Sequence, residues 1–312
     1  MKKIAYLMSA ISAGLFSSAA HADISVAGSA SVAYNGAGGN TTIIHGGSVS
    51  FGLSTTTDSG MTISSGAGIT RDTDGAGSAA VTGLSSVSFA TGGATITAGY
   101  DIGVADGAAS VGELVTVADF NSNGVTNTGG MGDDEGAGLS LSTSFGGAAL
   151  SVVYIYDKST STVTSGDLDG AANTGTSVAI SMPVAGGTFG ANYASGDVNG
   201  TTNNETSATF AYPTAGGTLT LGYGSFDGDT TTINGTTFGV AYSMDLDGTA
   251  IGVGYQSYDV NSTSGNSTDV TVSRSLGGGA SVFAEMRNTG GTVGTTSTKS
   301  TSTVAIGSSI SF

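Results

Sequence analysis

The sequence predicts an all-β protein, a 16-stranded antiparallel transmembrane β-barrel, and three observations indicate this fold class. Segments in which every second residue is apolar recur along the chain, and glycine-rich turns separate them. No stretch after the N-terminal segment approaches the ~18 consecutive apolar residues of a membrane helix. The chain has 54 glycines and little leucine, a composition that supports helices poorly.

The N-terminal segment predicts export. Lys2 and Lys3 precede an apolar run, and Ala20, His21 and Ala22 form the small-residue pattern of a cleavage site. We therefore expect residues 1–22 to be a cleaved signal peptide and residues 23–312 to form one barrel domain. A retained N-terminal helix is the alternative.

Charge and composition exclude several classes of function. Removing Lys2 and Lys3 from the 7 basic residues leaves 5 against 23 acidic residues, a net charge of −18. Such a surface repels nucleic acid, which needs basic contacts, and attracts cations. The chain has no cysteine, so it has neither disulfides nor thiolate metal sites. It shows no HExxH motif and no nucleophile–base arrangement, and we expect no enzyme activity.

Alternation marks sixteen segments, each with one apolar face and one face rich in serine, threonine and glycine. The first stripe includes Ile24, Val26, Val32 and Tyr34, and the last consists of Val304, Ile306, Ile310 and Phe312. Sixteen segments in a mature chain of 290 residues leave about 18 residues for each strand and its connection. That length accommodates a strand of ~9–11 residues.

The connections alternate between short and long, which predicts short periplasmic turns and long extracellular loops. The short ones are residues 55–60, 91–94, 145–148, 183–187, 213–217, 245–248 and 276–279. The long ones include residues 71–78, 157–174, 197–205, 227–235, 259–267 and 288–299. Closure of the sheet pairs every backbone amide, which is required where lipid replaces water.

The apolar stripes carry no charge except Arg274, which shares a face with Val270 and Val272 near a short turn. From there a long side chain can reach the membrane interface. Several aromatic residues lie near strand ends, as an interfacial girdle requires: Tyr34, Tyr100, Tyr154, Tyr156 and Phe312. A soluble β-sandwich or solenoid shows similar alternation and remains the alternative fold.

Four blocks carry a resemblance to a known family: DISVAGSASVAYNG at 23–36, LSTTTDSGM at 53–61, LGGGAS at 276–281, and the last strand ending in Phe312. In order and spacing the chain resembles Gram-negative general-diffusion porins of the alphaproteobacterial, purple-bacterial type. The resemblance implies a homotrimer in the cell outer membrane, with lipid, small solutes and ions as partners. It also implies a third loop folded into the lumen, and a terminal Phe312 that the insertion machinery reads as a signal. An interfacial anchor is the simpler role for Phe312.

The longest connection, residues 101–136, matches the constriction loop of that family in position. It has apolar residues for packing, seven acidic residues and no basic residue. Loops of this length are usually functional or disordered. We expect Asp101, Asp106, Glu113 and Asp119 to line a pore constriction that favours cations. Solvated loop charges without effect on selectivity are the alternative.

The barrel wall contributes few basic residues. Glu285 and Arg287 alternate with Val282, Ala284 and Met286, which directs them to the lumen, and Arg71 closes a strand from which it can also reach the lumen. Porins of the family usually oppose the acidic loop with a basic cluster. This chain departs from that pattern, so a strong transverse field is not expected.

Several Asp-x-Asp turns, including Asp245 with Asp247, resemble calcium loops but lack the glutamate of the EF-hand pattern. We expect no tightly bound cofactor and leave loosely bound calcium open, with no metal ligand assigned. His45 has no partner cluster and receives no role. The predicted function is a passive diffusion channel, and the alternative is a secreted or surface-layer β-rich adhesin that binds calcium.

Overall fold

The computed structural model describes residues 22–37, 40–71, 80–103, 135–156, 174–198, 201–214, 216–228, 234–260, 263–293 and 296–312. Its regular structure in these ranges is β strand, joined by turns. Within the same ranges, no helix has the length and hydropathy that a membrane span requires. Residues 1–21, which contain nearly all of the predicted signal peptide, lie outside the described residues.

The described residues form seventeen strands that follow one another in sequence. They are β1 (Ala22–Ala37), β2 (Asn40–Thr56), β3 (Thr62–Arg71), β4 (Ala80–Thr82), β5 (Ser86–Thr91), β6 (Ala94–Gly103), β7 (Glu135–Phe145), β8 (Ala148–Tyr156), β9 (Thr174–Val184), β10 (Gly187–Val198), β11 (Thr201–Thr214), β12 (Gly217–Gly228), β13 (Gly235–Leu246), β14 (Thr249–Val260), β15 (Thr263–Gly277), β16 (Ala280–Val293) and β17 (Thr296–Ser311).

The strands form one closed antiparallel barrel. Each strand pairs with the next, except that β4 and β5 both pair with β3 and are two halves of one barrel strand. The last strand, β17, pairs with β1. The barrel therefore has 16 strands, and the predicted fold class is confirmed.

Burial alternates along the strands as the sequence predicts. In β17, Ile306 is 57 % exposed and Ile310 52 %, whereas Ala305 on the other face is fully buried. Phe51 and Leu53 in β2 are also exposed. A soluble barrel or sandwich would bury such side chains, so the apolar stripes of these strands lie on the outside of the wall.

Several strands extend beyond the predicted length of ~9–11 residues. The predicted long connection at residues 197–205 is wrong in extent, because β10 continues to Val198 and β11 begins at Thr201. Residues 259–267 and 288–299 are likewise mostly strand. These segments are polar on both faces, and threonine is favoured in strands even where no apolar stripe marks them.

The barrel closes where the chain end meets the first strand. The backbone N–H of Gly28 donates to the carbonyl of Phe312 at 2.9 Å, and the Phe312 N–H donates to the Gly28 carbonyl at 3.0 Å. The Phe312 ring covers Gly28, where a Cβ atom would collide with it. On the inner face, Gly307 brings β17 against the Val32 carbonyl in β1, and a side chain there would also meet Phe283. Glycine thus permits the close approach on which closure depends.

A tyrosine repeat, not recognised in the sequence, marks one end of the outer apolar band. In each of five hairpins a tyrosine follows the last positive-φ turn glycine by seven residues: Gly93/Tyr100, Gly147/Tyr154, Gly186/Tyr193, Gly216/Tyr223 and Gly248/Tyr255. All five tyrosines are exposed on the outer face. The corresponding residue is Met286 in β16 and Ala67 in β3. This repeat therefore runs from β6 to β14 and is absent from β16 and β3, while Tyr34 is an exposed outer tyrosine on the closing strand β1.

Candidate functional site: the inner wall of the barrel

The inner face of the barrel is lined mainly by small and uncharged polar side chains. Buried members of this face include Ser177, Asn192, Ser207, Thr237 and Gln256. They alternate with exposed outer residues such as Tyr193 and Phe238. Ser207 donates a hydrogen bond to Asn192 Oδ1 on the neighbouring strand. A lining of hydroxyls, amides and glycines is polar without a dominant charge.

An ionic cluster interrupts this neutral lining on β15 and β16. Asp269 and Arg287 are directly opposite each other in the ladder. Arg287 Nε donates to Asp269 Oδ1, and Ser267 Oγ donates to Asp269 Oδ2 at 3.3 Å. Arg287 Nη2 lies 3.7 Å from Glu285 Oε1. The guanidinium is therefore held between two carboxylates from adjacent positions of the same wall.

Low exposure distinguishes this cluster from surface ion pairs. The side chains of Arg287 and Glu285 are 6 % and 1 % exposed, and that of Asp269 is 13 % exposed. Charges removed from water interact more strongly than surface charges. Glu205, on the inner face of β11, is a further buried carboxylate. Glu205 is separated from the cluster by three strands, and within the cluster itself two carboxylates contact one guanidinium.

A separate apolar patch faces inward on β8. Val153 and Ile155 are buried, and they alternate with the exposed Val152 and Tyr154. Ile102, near the end of β6, is also buried. Apolar side chains are unexpected on the inner face of a hydrophilic pore. Their burial near the ends of β6 and β7 indicates a surface for packing beside the longest connection of the chain.

Comparisons with known proteins identify the family. A family model described as Gram-negative porin matches residues 9–307. The chain belongs to the Gram-negative porin family. No curated protein sequence matches this porin. The family assignment makes it an outer-membrane protein of a Gram-negative bacterium that forms a porin channel, and it decides against the secreted adhesin.

Solved structures share the fold at low identity. The porin is similar to OmpTΔL8, a loop L8 deletion mutant of the Vibrio cholerae outer-membrane protein OmpT, with a TM-score of 0.75 and 14 % identity over 93 % of this chain and 99 % of that chain. It is also similar to a mutant of the Rh. blastica porin, with a TM-score of 0.68 and 16 % identity over 93 % of this chain and 100 % of that chain. The trimer form of OmpT gives a TM-score of 0.69 at 12 % identity, over 93 % and 99 % of the two chains. These likenesses concern the fold.

The predicted site residues fall into two groups. The structure of the porin places Glu285 and Arg287 together on the face opposite the exposed Val282 and Met286. Arg71 ends β3, and Asp101 lies within β6 and not in the connection, which is reduced to residues 104–134. The other predicted constriction residues, Asp106, Glu113 and Asp119, lie outside the described residues. Their roles stay predictions.

Other predicted features of the porin lie at its rims. Phe312 is 73 % exposed at the end of β17, and its role as an insertion signal stays a prediction. Arg274 is exposed near a short turn and donates to Thr249 Oγ1 at 3.3 Å. Asp245 Oδ1 accepts a hydrogen bond from the Gly248 N–H at 2.9 Å, so this carboxylate stabilises its own turn. In the described ranges no group of three or more acidic, His or Cys residues could hold a metal ion, and calcium binding stays a prediction.

Sequence reasoning missed two members of the porin's inner wall, Asp269 and Thr271. The alternation that assigns Val270 and Val272 to the outer face also assigns these two residues to the inner face, so a signal was present. The pairing of Asp269 with Arg287 could not be read in the same way. It depends on the register between β15 and β16, which includes an irregularity between Ser275 and Gly277.

Proposed function

We propose that this porin is a passive diffusion channel for small hydrophilic solutes and ions, that it catalyses no reaction, and that it favours cations. The charge of residues 101–136 carries the proposal, since this segment has seven acidic residues and no basic one. Asp106, Glu113 and Asp119 are the candidates for the lining of the constriction. A fixed negative field near a narrow pore raises the local concentration of cations.

The same proposal includes entry of the connecting segment into the lumen. Apolar residues in this segment, among them Val115 and Phe120, need an apolar surface. Val153 and Ile155 on β8 offer one on the inner face. Because Gly103 and Glu135 pair where the connection leaves and rejoins the barrel, both of its ends lie close to β8. These observations support the loop as the constriction.

Ion selectivity tests the acidic constriction. In planar bilayers with a KCl gradient, the wild-type protein is expected to give a reversal potential of the cation-favouring sign. The triple variant Asp106→Asn, Glu113→Gln, Asp119→Asn is expected to move this potential towards zero, because three negative charges leave the constriction. Low salt is required, since the Debye length is ~10 Å at 0.1 M.

A matched control removes the same charge elsewhere. Asp227, Asp247 and Asp259 are exposed at strand ends and a turn, and their triple change to asparagine should leave the reversal potential unaltered. Anion preference of the wild-type protein would contradict the proposal. So would an equal effect of both triple variants, which would indicate a general surface charge and not a constriction.

We also propose a homotrimer. OmpT, a structural neighbour at 12 % identity, has a trimer form. In this chain the tyrosine repeat is absent from the arc formed by β16, β17, β1, β2 and β3. Among its larger apolar residues, the outer face of this arc carries several small ones: Gly28, Ala30, Gly47, Ala67, Ala284 and Ser308. An apolar face with these small residues, on which Tyr34 is the one tyrosine among the described residues, suits contact with a second copy better than contact with lipid.

Oligomeric state on unheated SDS gels tests this arc. The change Ser308→Trp is expected to convert the trimer to monomer, because a large side chain cannot be accommodated in a close contact. Thr176→Trp, an exposed outer position on β9, is the control and should leave the trimer intact. A wild-type monomer, or equal behaviour of both variants, would overturn the assignment.

A further inference from the structure

Four inner residues of β15 and β16 form a compact group, the wall patch: Asp269, Thr271, Glu285 and Arg287. Asp269 is directly opposite Arg287 in the ladder, and Thr271 is directly opposite Glu285. Directly opposite residues of an antiparallel pair have Cα atoms about 4.5–5.5 Å apart. The four side chains therefore share one small area of the inner wall.

The charges of the wall patch do not cancel. Two carboxylates, from Asp269 and Glu285, surround the single guanidinium of Arg287, which contacts both. Their sum is one negative charge. A permeating anion would meet an Arg287 whose donors already face carboxylates, whereas a cation would meet an excess of carboxylate oxygen. Arg287 therefore adds little to an anion-attracting field.

Thr271 gives an independent indication of a cation. It is 1 % exposed, and its Oγ1 atom has no hydrogen-bond partner among the described residues. A buried hydroxyl without a partner is costly, so its oxygen is expected to serve a ligand. Hydroxyl and carboxylate oxygens are the groups that hard cations prefer. Thr271 Oγ1 lies in the wall patch beside Glu285.

The neighbouring strands place no large side chain opposite Thr271, Asp269 or Glu285. In β14, the residues directly opposite Thr271 and Asp269 are Gly252 and Gly254. Neither has a side chain that could cover the patch from that side. On the far side of β16, Glu285 is opposite Ala305, another small residue. With small residues at these positions, the patch meets solvent chiefly at Asp269, whose side chain is 13 % exposed, and a cation would reach Glu285 and Thr271 past this carboxylate.

We propose that the wall patch is a second selectivity element of the channel, at which Glu285, Asp269 and Thr271 Oγ1 transiently coordinate permeating cations such as K⁺. Arg287 is a positioning residue that holds the two carboxylates in place. This inference rests on the proposed function, the diffusion of ions through the lumen. It places a cation-selective element on the barrel wall, in addition to the acidic loop. A basic cluster at that place on the wall would instead attract anions.

Substitutions with opposite charge effects test the wall patch by reversal potential in a KCl gradient. Glu285→Gln is expected to lower the preference for K⁺, and Arg287→Gln to raise it. Thr271→Val keeps the shape and the charge, and it is expected to lower the preference because an oxygen ligand is lost. Arg274→Gln, on the outer face, is the control and should leave the reversal potential unchanged. If a charge variant fails to fold, Thr271→Val still provides the readout.

The same variants are made in the background of the triple loop variant. Shifts that persist there support a wall element independent of the loop. If Glu285→Gln, Arg287→Gln and Thr271→Val all have the reversal potential of the wild type, the wall patch is not a selectivity element. This conclusion holds even if the triple loop variant loses its selectivity as proposed. Anion preference of the wild type, together with the predicted opposite shifts, would refute the loop proposal and leave the wall patch supported.

Discussion

Replacing Leu221 by arginine is expected to destabilise the membrane-inserted barrel by ~2–4 kcal/mol, the cost of placing a guanidinium on the lipid face near the bilayer centre. Leu221 lies on the outer face of β12 between Phe210 and Val240 of the adjacent strands, and it is 41 % exposed. It lies two residues before the girdle tyrosine Tyr223, within the apolar band. Urea unfolding in lipid vesicles, read by the heat-modifiable gel shift, measures the loss.

The adjacent residue provides the control for this substitution. Thr220 faces the inner side of the same strand, so Thr220→Arg places the same charge in the lumen and not in lipid. Its unfolding midpoint is expected to remain close to wild type, while its conductance or ion selectivity changes. A Leu221→Arg barrel as stable as wild type, with Thr220→Arg strongly destabilised, would reverse the assignment of the two faces.

Replacing Phe312 by serine is expected to prevent most of the protein from reaching the outer membrane in cells. The expected reason is loss of the signal that the insertion machinery reads, and not loss of stability. Serine retains the two backbone hydrogen bonds to Gly28, and the Phe312 ring is 73 % exposed. Purified Phe312→Ser protein should therefore still fold into detergent micelles. Outer-membrane fractionation of cells and refolding in vitro are the two measurements.

Phe145 is the matched control for the terminal aromatic. It ends β7 beside a short turn, and its ring is 59 % exposed on the outer face. If both rings are simple interfacial anchors, Phe145→Ser and Phe312→Ser should reduce assembly equally. Full assembly of Phe312→Ser, or an equal loss in both variants, would show that Phe312 carries no special signal.

The outer face of the barrel could be predicted from the sequence because lipid enforces a strict pattern. Where one face meets hydrocarbon, every second residue must be apolar. Val304 and Ile306, two residues apart in β17, follow this pattern and are exposed on the outer face. The interruption between β4 and β5 did not obscure the barrel strand, since Val81 and Val87 still mark its outer side. The strand count followed from these stripes.

Strand ends above the apolar band could not be predicted in this way. Residues 197–205 lack an apolar stripe because both faces of that hairpin are polar, so periodicity gives no evidence for strand there. The hairpin forms because the β10–β11 ladder continues beyond the apolar band, through pairs such as Ser195 with Asn204. Interstrand hydrogen bonds extend such a hairpin without help from apolar burial.

The inner wall was only partly predictable. Alternation assigned Glu285 and Arg287 to one face, but the partner of Arg287 is set by the register of two strands. A slip of one residue would place Asp269 on the lipid side, so the hydrophobic pattern of Val270 and Val272 fixes that register in the folded protein. The tyrosine repeat of the girdle, in contrast, is readable from the sequence once the turn glycines are aligned.

Single-channel recording tests the central claim most directly, namely that this closed barrel encloses an open aqueous pore. The purified, heat-modifiable wild-type protein is reconstituted in planar bilayers at several KCl concentrations. The structure leads us to expect stepwise, long-lived increments of conductance that rise with the conductivity of the solution. Correctly folded protein that inserts but gives no conductance steps would contradict the account.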